Sequence, residues 1–374
     1  MRVLYLDHGT HLGGAEVSLL GLLRTLDRER FAPTLACPPG RLADRAAELG
    51  VPMAELQLEK LREGWNPFAT LARLRRGRAA LRRLIREGAF DILHANTLRA
   101  AVYASAAVKG KGARFVWHVR DADIPRWARR FLLKRCHAAI APSRFIARTL
   151  GPSRKVHVVY NGIDPSEAPD PEAGAAFRRE VGLPPDAPVA GCLGRLLPWK
   201  GQHLFIEMAA RLAQRVPAAR FLIVGAPLYA GRDADYPAQL RERAARLAIE
   251  DRVLFVGHRD DPLAALSAMN VVVNCSRDEP FGRVLIEAMA CARPVVAFDS
   301  GAIPEIVRHG RTGTLVRYDD TSALAEAVYP LLRDPARAAA LGQAGRSLVA
   351  ERFRLDAATR SIEAIYETIL PSID

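Results

Sequence analysis

Cysteine is scarce in this 374-residue chain, and so are long uncharged apolar runs. The five cysteines are odd in number and never spaced as Cys-x-x-Cys, which disfavours a disulfide framework or a zinc knuckle and fits a reducing cytoplasm. No segment approaches the ~18 apolar residues of a membrane span. The first apolar run, Val3–Leu6, ends at Asp7 and His8, too early for the hydrophobic region of a signal peptide. The sequence therefore predicts a cytoplasmic protein, with any membrane contact peripheral.

Acidic residues are also in deficit, because 54 Lys and Arg stand against 41 Asp and Glu. Through Asp164 there are 29 basic and 14 acidic residues, and after it 25 and 27, so the whole excess lies in the first half. Such a charge favours a polyanionic partner: nucleic acid, an anionic membrane or a phosphorylated substrate. The basic residues are not interleaved with aromatic residues, which disfavours a nucleic-acid-binding protein, although the isoelectric point alone permits one.

What the chain does have is an alternation of short apolar runs and helical patterns, typical of βαβ units. In the first half the predicted strands are Val3–Asp7, Thr34–Cys37, Ile92–His94, Phe115–Val119, Ala139–Ala141 and Val156–Tyr160. In the second half they are Val189–Leu193, Phe221–Val224, Val253–Val256, Val271–Cys275, Val295–Phe298 and Thr314–Val316. The pattern predicts an α/β protein of two Rossmann-like, doubly wound domains facing across a cleft. We expect these domains at residues 1–165 and 189–354, with a proline-punctuated linker at 166–188.

In each predicted domain, one glycine-containing loop follows the first strand. Gly13 and Gly14, before Glu16, can bring backbone N–H groups at a helix start close to a phosphate, although a plain glycine turn explains them equally well. In the loop 194–201, Arg195 and Lys200 can converge on a diphosphate. A solvated basic loop is the alternative.

The tract 278–290 is the most specific motif, because two carboxylates, Glu279 and Glu287, flank seven residues at the start of a predicted helix. Glu279 lies in the loop before that helix, and Glu287 lies more than one turn inside it. Both are suited to accepting hydrogen bonds from paired sugar hydroxyls. The alternatives are a helix-dipole partner for Glu279 and a solvated helical residue for Glu287.

Together these motifs resemble the retaining GT-B glycosyltransferases of family four, in the family's motif order over nearly the whole chain. The matching tracts are Gly13–Glu16, Val159–Asp164, Gly194–Gly201, Glu279–Phe298 and Gly301–Val307. The resemblance implies an N-terminal domain that binds acceptor and a C-terminal domain that binds a nucleotide sugar. It also implies a final helix, at about 355–374, that crosses back onto the first domain.

Carried over by position, the resemblance gives roles to individual residues. Arg195 and Lys200 would hold the donor diphosphate, Glu287 the ribose, and Glu279 the transferred sugar, while His118 would contact the donor sugar or position the acceptor. Catalysis is thereby assigned to Arg195, Lys200, Glu279 and His118, and donor binding to Gly13, Gly14, Arg195, Lys200, Glu279, Phe281, Gly282 and Glu287. Acceptor binding is assigned to Glu16, His94, Asn96 and Arg120. A satisfied structural histidine is the alternative for His118.

The resemblance also implies which cofactor and reaction to expect. The substrate is a UDP-, GDP- or ADP-linked sugar, with no cofactor and no metal, although Asp121 and Asp123 form an Asp-x-Asp pair of the kind that binds divalent ions elsewhere. The expected reaction is transfer of a sugar with retention, in cell-envelope glycolipid or polysaccharide synthesis. The alternatives are a soluble enzyme with a small-molecule acceptor, an inverting GT-B enzyme and a catalytically inactive sugar-nucleotide-binding regulator.

Two alanines depart from the family's pattern. Ala292 and Ala302 stand where similar proteins often have glycine. The added methyl is tolerated where the backbone angle φ is negative, and a positive φ would shift the local geometry.

Two segments of the first half are both cationic and amphipathic. Residues 71–87 predict a helix with an apolar stripe and seven arginines, and residues 126–135 form a second such segment. Packing of the stripes on the sheet, with the arginines solvated, is the simple interpretation. The functional hypothesis is that exposed arginines draw this domain to anionic lipid or to a phosphate-bearing acceptor.

Overall fold

The apolar runs of both halves form parallel strands in the computed structural model, which describes residues 1–60, 67–108, 112–167, 171–227 and 234–370. The central strands are short and almost wholly buried, as in Val3–Leu6, because helices cover both faces of each sheet. The chain divides into two units, the first comprising Met1–Gly162 with Leu355–Asp374 and the second Ile163–Arg354.

The first unit contains a seven-stranded sheet with its helices. In chain order its elements begin with β1 (Arg2–Leu6), α1 (Gly14–Thr25), β2 (Ala32–Cys37), α2 (Arg41–Glu48), β3 (Met53–Glu55), α3 (Pro67–Gly88) and β4 (Ile92–Ala95). They continue with α4 (Leu98–Ala107), β5 (Arg114–His118), α5 (Arg126–Arg135), β6 (Ala138–Ala141), α6 (Arg144–Leu150) and β7 (Val156–Val158). The sequence did not predict β3, a three-residue edge strand too short to show a pattern.

The second unit contains a six-stranded sheet. Its elements begin with α7 (Pro171–Glu180), β8 (Val189–Leu193), α8 (Gln202–Arg215), β9 (Arg220–Val224), α9 (Tyr236–Arg246), β10 (Val253–Gly257) and α10 (Pro262–Ser267). They continue with β11 (Val271–Asn274), α11 (Arg283–Ala290), β12 (Val295–Asp299), α12 (Ile303–Ile306), β13 (Thr314–Arg317), α13 (Thr321–Arg333) and α14 (Pro335–Arg352).

Each sheet has a point where the direction of strand addition reverses. The orders are β3-β2-β1-β4-β5-β6-β7 and β10-β9-β8-β11-β12-β13, so the reversal falls between β1 and β4 in one sheet and between β8 and β11 in the other. All pairs of neighbouring strands are parallel. At such a point the loops after the two strands diverge to opposite faces, which leaves a crevice where ligands of doubly wound folds bind. The predicted fold class, an α/β protein of two doubly wound units, is confirmed.

The last described helix, α15 (Leu355–Ile369), belongs to the first unit, as the resemblance implied. It packs along α1, where the hydroxyls of Thr359 and Thr25 are 2.6 Å apart and the backbone N–H of Asp27 donates to Glu363. Residues 371–374, included in the predicted helix, lie outside the described residues.

The segment 166–188, which we expected to be a linker, belongs to the second unit and contains α7. Phe177 of α7 is 2% exposed, and Arg178 donates to the carbonyl oxygens of Ala268 and Ala187. The prolines misled the prediction because Pro171 begins the helix, where its missing N–H costs nothing. Residues 168–170 of this segment lie outside the described residues.

Candidate active site

In the second unit the loops after β8 and β11 meet at the point of strand reversal. Lys200 comes from the first loop and Glu279 from the second, and the Lys200 Nζ lies 2.7 Å from Glu279 Oε2. Glu279 is only 5% exposed, and its charge is balanced by the ammonium group. The two residues are 79 positions apart in the chain, so their contact is a product of the sheet topology.

The loop that carries Lys200 is fixed to the loop after β11. The backbone N–H of Arg277 donates to the carbonyl oxygen of Trp199 at 2.8 Å, and the Trp199 ring lies beneath Lys200 Nζ at 4.3 Å from its centroid. Gly201 has φ of +73°, and a Cβ there would lie 2.2 Å from the carbonyl oxygen of Cys275. Glycine is required at this position because of both its angle and the close approach of the second loop.

The loop that carries Glu279 is supported from behind by the turn after β12. The Ala302 N–H donates to the carbonyl oxygen of Glu279 at 2.9 Å, and the Ser300 hydroxyl accepts from the N–H of Asp278 at 2.8 Å. Gly301 packs so closely that a Cβ would lie 2.4 Å from the Glu279 nitrogen. Asp278 itself has φ of +50°. Backbone contacts and the Ser300 hydroxyl therefore set the position of the loop that carries Glu279.

The other predicted donor-side residues differ in their surroundings. Arg195 is exposed, and its guanidinium makes no ion pair with any residue that the structure describes. Its carbonyl oxygen accepts from Gln202 Nε2 at 2.9 Å, which fixes the backbone while the side chain extends into solvent. Glu287 is 8% exposed and pairs with Nε of Arg283, one helical turn earlier, at 2.7 Å. Glu287 is thus not a solvated helical residue.

Phe281 and Gly282 serve the local fold. Phe281 is 3% exposed and packs edge-to-face on Phe353, with ring centroids 6.1 Å apart. Gly282 has φ of +96° and precedes the first residue of α11, so it turns the chain from the Glu279 loop into the helix. The Phe281 ring is directed into the core, and donor contact at this position would involve backbone atoms.

In the first unit, polar groups after β1 and β4 also meet at the point of strand reversal. Asn96 Nδ2 donates to Asp7 Oδ2 at 2.7 Å, and both residues are fully buried. The other oxygen of Asp7 accepts the N–H groups of His8 and Gly9 at 2.6 and 2.8 Å. Asp7 therefore fixes the loop that leads from β1 towards Gly13.

Arg120, just beyond β5, joins this pair to the histidines. Its Nε and Nη2 donate to Asn96 Oδ1 at 3.0 and 2.8 Å, and its Nη1 donates to Asn161 Oδ1 at 2.8 Å. Its Nη2 also lies 3.4 Å from His118 Nδ1. Among the residues predicted to bind acceptor, the structure thus brings Asn96 and Arg120 into direct contact.

His94 and His118, on adjacent strands β4 and β5, lie edge to face, with ring centroids 5.2 Å apart. His94 Nε2 lies 3.2 Å from His118 Nδ1, and both rings are buried. His94 Nδ1 lies 2.6 Å from the hydroxyl of Tyr366, so both of its ring nitrogens are engaged within the protein. His94 therefore lies behind His118, and a contact with acceptor would require it to give up one of these bonds.

Glu16 lies at the start of α1 and accepts the Gly13 N–H at 2.9 Å. Burial and, secondly, the charge of Asp7 raise the pKa of its carboxyl to about 7. Gly14 is exposed with open space around its Cα, so a ligand could approach its backbone. The Glu16 carboxyl therefore ionises near neutral pH.

Four residues of these two sites escaped sequence reasoning. They are Asp7, Asn161, Arg283 and Tyr366. In the sequence, Asp7 marked only the end of an apolar strand. A carboxylate directly after a central parallel strand nevertheless indicates a residue at the edge of the sheet where ligands bind, so Asp7 could have been found. Arg283 could have been found from its spacing of four to Glu287, a helical ion-pair spacing. Nothing in the sequence pointed to Tyr366, because its partners lie more than 270 positions away.

The two alanines that replace family glycines have opposite backbone angles. Ala302 has φ of −89°, which any residue adopts. Ala292 has φ of +50° and follows the C-cap of α11, where its N–H donates to Met289 and the N–H of Arg293 donates to Ala288. This is a Schellman turn, which normally carries glycine at the position of Ala292.

Asp121 and Asp123 are both exposed in the loop after β5. Within the described ranges, no three His, Cys, Asp or Glu side chains are grouped in a way that could hold a metal ion. None of the described helices combines the length and the apolarity that crossing a bilayer requires.

Residues 12–167 match the family described as Glycosyltransferase Family 4, and residues 175–348 match Glycosyl transferases group 1. The Rhizobium meliloti lipopolysaccharide core biosynthesis mannosyltransferase LpsB is 31% identical over 246 residues, which are 65% of this chain and 69% of LpsB. The chain belongs to the family 4 (group 1) glycosyltransferases.

A further curated relative and a solved structure are similar over part or nearly all of this chain. A Mycolicibacterium smegmatis GDP-mannose-dependent alpha-(1-6)-phosphatidylinositol monomannoside mannosyltransferase is 39% identical over 236 residues, 60% of this chain. That match spans 57% of the curated relative, less than two thirds of its length. The crystal structure of Anabaena Alr3699/HepE in complex with UDP-glucose superposes with a TM-score of 0.87 and 26% identity, covering 98% of this chain and all of that one.

Proposed function

We propose that this protein transfers a sugar from a nucleotide-sugar donor to a hydroxyl group of an acceptor, with retention of the anomeric configuration. The observation that carries the proposal is the Lys200–Glu279 pair at the crevice of the second sheet, where Lys200 shares its loop with the exposed Arg195. A cation and a carboxylate held together suit a ligand that has a diphosphate next to a sugar. A relative dependent on GDP-mannose and a neighbour bound to UDP-glucose support this class of donor.

In this proposal Arg195 and Lys200 bind the diphosphate, and Glu279 accepts hydrogen bonds from the transferred sugar. Glu287, oriented by Arg283, accepts from the ribose hydroxyls. The cations stabilise the negative charge that develops on the leaving phosphate, which is the main electrostatic contribution to the rate. No metal is needed in this scheme because side chains supply the positive charge.

The transfer step proceeds on one face of the sugar. The bond between the anomeric carbon and the phosphate oxygen breaks through an oxocarbenium-like state, and the acceptor oxygen bonds to the same face. The acceptor proton passes to the departing phosphate oxygen, so the nucleoside diphosphate leaves with that proton and charge is balanced. A covalent route would need a free nucleophile, and Glu279 is held in an ion pair with Lys200 instead. The protein acts by positioning and by electrostatic stabilisation.

The test is a panel of UDP-, GDP- and ADP-linked sugars on the purified full chain, read by thermal shift and by release of the nucleoside diphosphate. One of these nucleotides is expected to raise the melting temperature and to be turned over. No stabilisation and no hydrolysis or transfer with any member would overturn the proposal. NMR of the product's anomeric proton then distinguishes retention from inversion.

The acceptor is proposed to lie at an anionic membrane surface on the cytoplasmic side, consistent with glycolipid or polysaccharide synthesis. Three cations on one face of α5, Arg126, Arg130 and Lys134, are exposed and have no acidic partner among the described residues. Beside them Trp127 is 64% exposed and Phe131 41%. On this helix, contrary to the expectation from the sequence, exposed aromatic residues do lie between cations, as is typical of helices in the bilayer interface.

Part of the predicted cationic surface of α3 is neutralised. Arg73 and Arg76 pair with Glu59, and Arg83 pairs with Glu87. The membrane proposal therefore rests mainly on α5. Near the N-terminus of α3, Phe68 is 81% exposed and adds a further aromatic group to the same unit. Because parallel strands place the N-termini of the following helices at one edge, α3 and α5 begin at the same side of the sheet.

A further inference from the structure

Gln202, the first residue of α8, ties together the two ends of the loop that carries the donor-side cations. Its Nε2 donates to the carbonyl oxygen of Arg195 at 2.9 Å, across seven positions of the chain. Arg195 stands near the start of this loop and Lys200 near its end. A single side chain therefore closes the segment from which both cations extend.

The peptide unit that follows Arg195 is held from both sides. Its carbonyl oxygen accepts from Gln202, and its N–H, which belongs to Leu196, donates to the carbonyl oxygen of Ala226 at 3.3 Å. The bond from Gln202 is the shorter of the two, and hydrogen bonds weaken with length. Without Gln202, only the longer bond would resist rotation of this peptide unit.

The two cations are fixed by different means. Lys200 has a side-chain partner, because its Nζ pairs with Glu279 at 2.7 Å. Arg195 is exposed, and its guanidinium forms no ion pair with the residues that the structure describes. The placement of Arg195 therefore depends on its backbone contacts.

Gln202 is an unfavourable residue for stability at this position. It is 4% exposed, and its Oε1 is buried with no hydrogen-bond partner among the described residues. The Arg195 carbonyl requires a donor, so the amide nitrogen faces it and the oxygen points elsewhere. A buried acceptor without a partner destabilises the fold.

An apolar side chain would suit the same position on α8. The helix buries Leu204, Phe205 and Met208 a short distance further along. Methionine has the length of glutamine, adapts to irregular surroundings and would leave no unpaired oxygen. Stability therefore does not account for the glutamine, and the hydrogen bond to Arg195 is the feature that methionine would lack.

We propose that Gln202 is a positioning residue, which holds the Arg195 backbone so that the guanidinium of Arg195 and the ammonium group of Lys200 bind the same diphosphate. Gln202 itself does not touch the ligand. The spacing of the two cations is set before the donor binds, so less ordering is required in the transition state. This inference rests on the transferase function proposed above.

Gln202→Met removes the donor and keeps the length of the side chain. It is expected to lower kcat/KM about tenfold for the UDP-, GDP- or ADP-linked sugar that is turned over. Its Tm should stay within about 3 °C of wild type, because loss of the unpaired oxygen offsets loss of the bond. Gln214→Met, at an exposed glutamine of the same helix, is the control and should change neither quantity. An unchanged kcat/KM in Gln202→Met would overturn the proposal.

A double-mutant cycle shows whether Gln202 acts through Arg195. In the Arg195→Gln background, Gln202→Met should lower kcat/KM by less than about twofold, because the side chain that it positions is already absent. In the Glu287→Gln background the loss should remain about tenfold. An equal loss in both backgrounds would indicate a merely structural role and overturn the proposal.

Hydrogen–deuterium exchange of the unliganded full chain tests the positioning without any turnover. In Gln202→Met, the amides of Leu196 and Leu197 should exchange faster than in wild type, and in Gln214→Met they should not. Equal exchange in wild type and Gln202→Met would defeat this inference by itself. Absence of transferase activity in the wild-type chain would defeat the proposed function and leave the exchange result standing.

Gln202→Glu is the second variant, should Gln202→Met fail to fold. Only a protonated carboxyl can donate to the Arg195 carbonyl, so its kcat/KM relative to wild type should fall as the pH rises from about 5 to about 8. A ratio that does not change with pH would contradict the need for a donor at this position.

Discussion

The ammonium group of Lys200 and the carboxylate of Glu279 form a 2.7 Å ion pair between the loops that follow the two strands at the reversal point of the second sheet. With side chains 18% and 7% exposed, the two charges depend on each other for compensation. Removal of one partner leaves the other charge buried and unpaired, which destabilises the fold more than replacement of both partners does.

Lys200→Ala is therefore expected to lower the free energy of unfolding by about 3 kcal/mol and also to abolish turnover. The double variant Lys200→Ala with Glu279→Gln should recover most of the stability, because no buried charge remains, and none of the turnover. Urea unfolding and release of nucleoside diphosphate measure the two quantities. Recovery of turnover in the double variant would contradict a diphosphate role for Lys200.

Arg195→Gln separates binding from stability more cleanly, because the Arg195 side chain is exposed. The free energy of unfolding should change by no more than about 0.5 kcal/mol. Turnover should fall by a factor of about 100 or more, since one donor to the developing phosphate charge is lost. Arg333→Gln, at an exposed arginine on α13, is the control and should leave both unchanged. A near-wild-type rate for Arg195→Gln would refute its assignment to the diphosphate.

The raised pKa of the Glu16 carboxyl predicts that the stability of the protein depends on pH. Burial and Asp7 raise its folded-state pKa to about 7, above the ordinary value of an unfolded chain. A raised carboxyl pKa contributes stability that is fully present below about pH 4.5 and is lost as the pH rises through about 7. Glu16→Gln cannot ionise and can still accept the Gly13 N–H, so it should melt at higher temperature than wild type at pH 8.5.

At pH 4.5 the difference between Glu16→Gln and wild type should vanish, because the wild-type carboxyl is protonated there. Glu29→Gln, at an exposed carboxylate of the same unit, should show no such pH-dependent difference. Equal melting temperatures of Glu16→Gln and wild type at both pH values would contradict the raised pKa.

Ala292 and Ala302 have backbone angles φ of opposite sign, so substitution of each by glycine should change the stability in opposite directions. Ala292→Gly should raise the free energy of unfolding by about 1 kcal/mol, because it relieves a positive φ at a Schellman turn. Ala302→Gly should lower it by about 1 kcal/mol, because φ is already negative and glycine only adds freedom to the unfolded chain. Urea unfolding with unchanged m-values measures both, and the same sign for both would show that φ does not decide the outcome.

The membrane proposal predicts that Trp127 fluorescence shifts to shorter wavelength when the protein meets phosphatidylglycerol vesicles, and that the shift disappears in Trp127→Ala. Arg130→Gln should weaken co-sedimentation about fivefold at low salt, in line with about 1 kcal/mol per basic residue near the surface. Arg333→Gln serves again as the control. Co-sedimentation that is indifferent to anionic lipid and to salt would exclude the proposal.

The local pattern of the chain was sufficient for the architecture because burial in parallel sheets leaves continuous apolar runs. Strands such as β8 and helices such as α5 and α15 lie at their predicted positions, since period and length are local properties. The pattern failed at α7, where prolines were taken for a linker, and at β3, which is too short. The family was recognisable because its glycine and carboxylate spacings are local too.

By itself the sequence determined two doubly wound units, their family and most residues that line the loops after β1, β4, β5, β8 and β11. Only the tertiary structure decided which of them touch. Asp7 contacts Asn96, 89 positions away, and Lys200 contacts Glu279, 79 positions away, because the strand order brings each pair of loops together at the crevice of its own sheet. Tyr366 reaches His94 only because the last helix packs back on the first sheet. Such contacts depend on strand order and helix docking, which no local spacing of residues encodes.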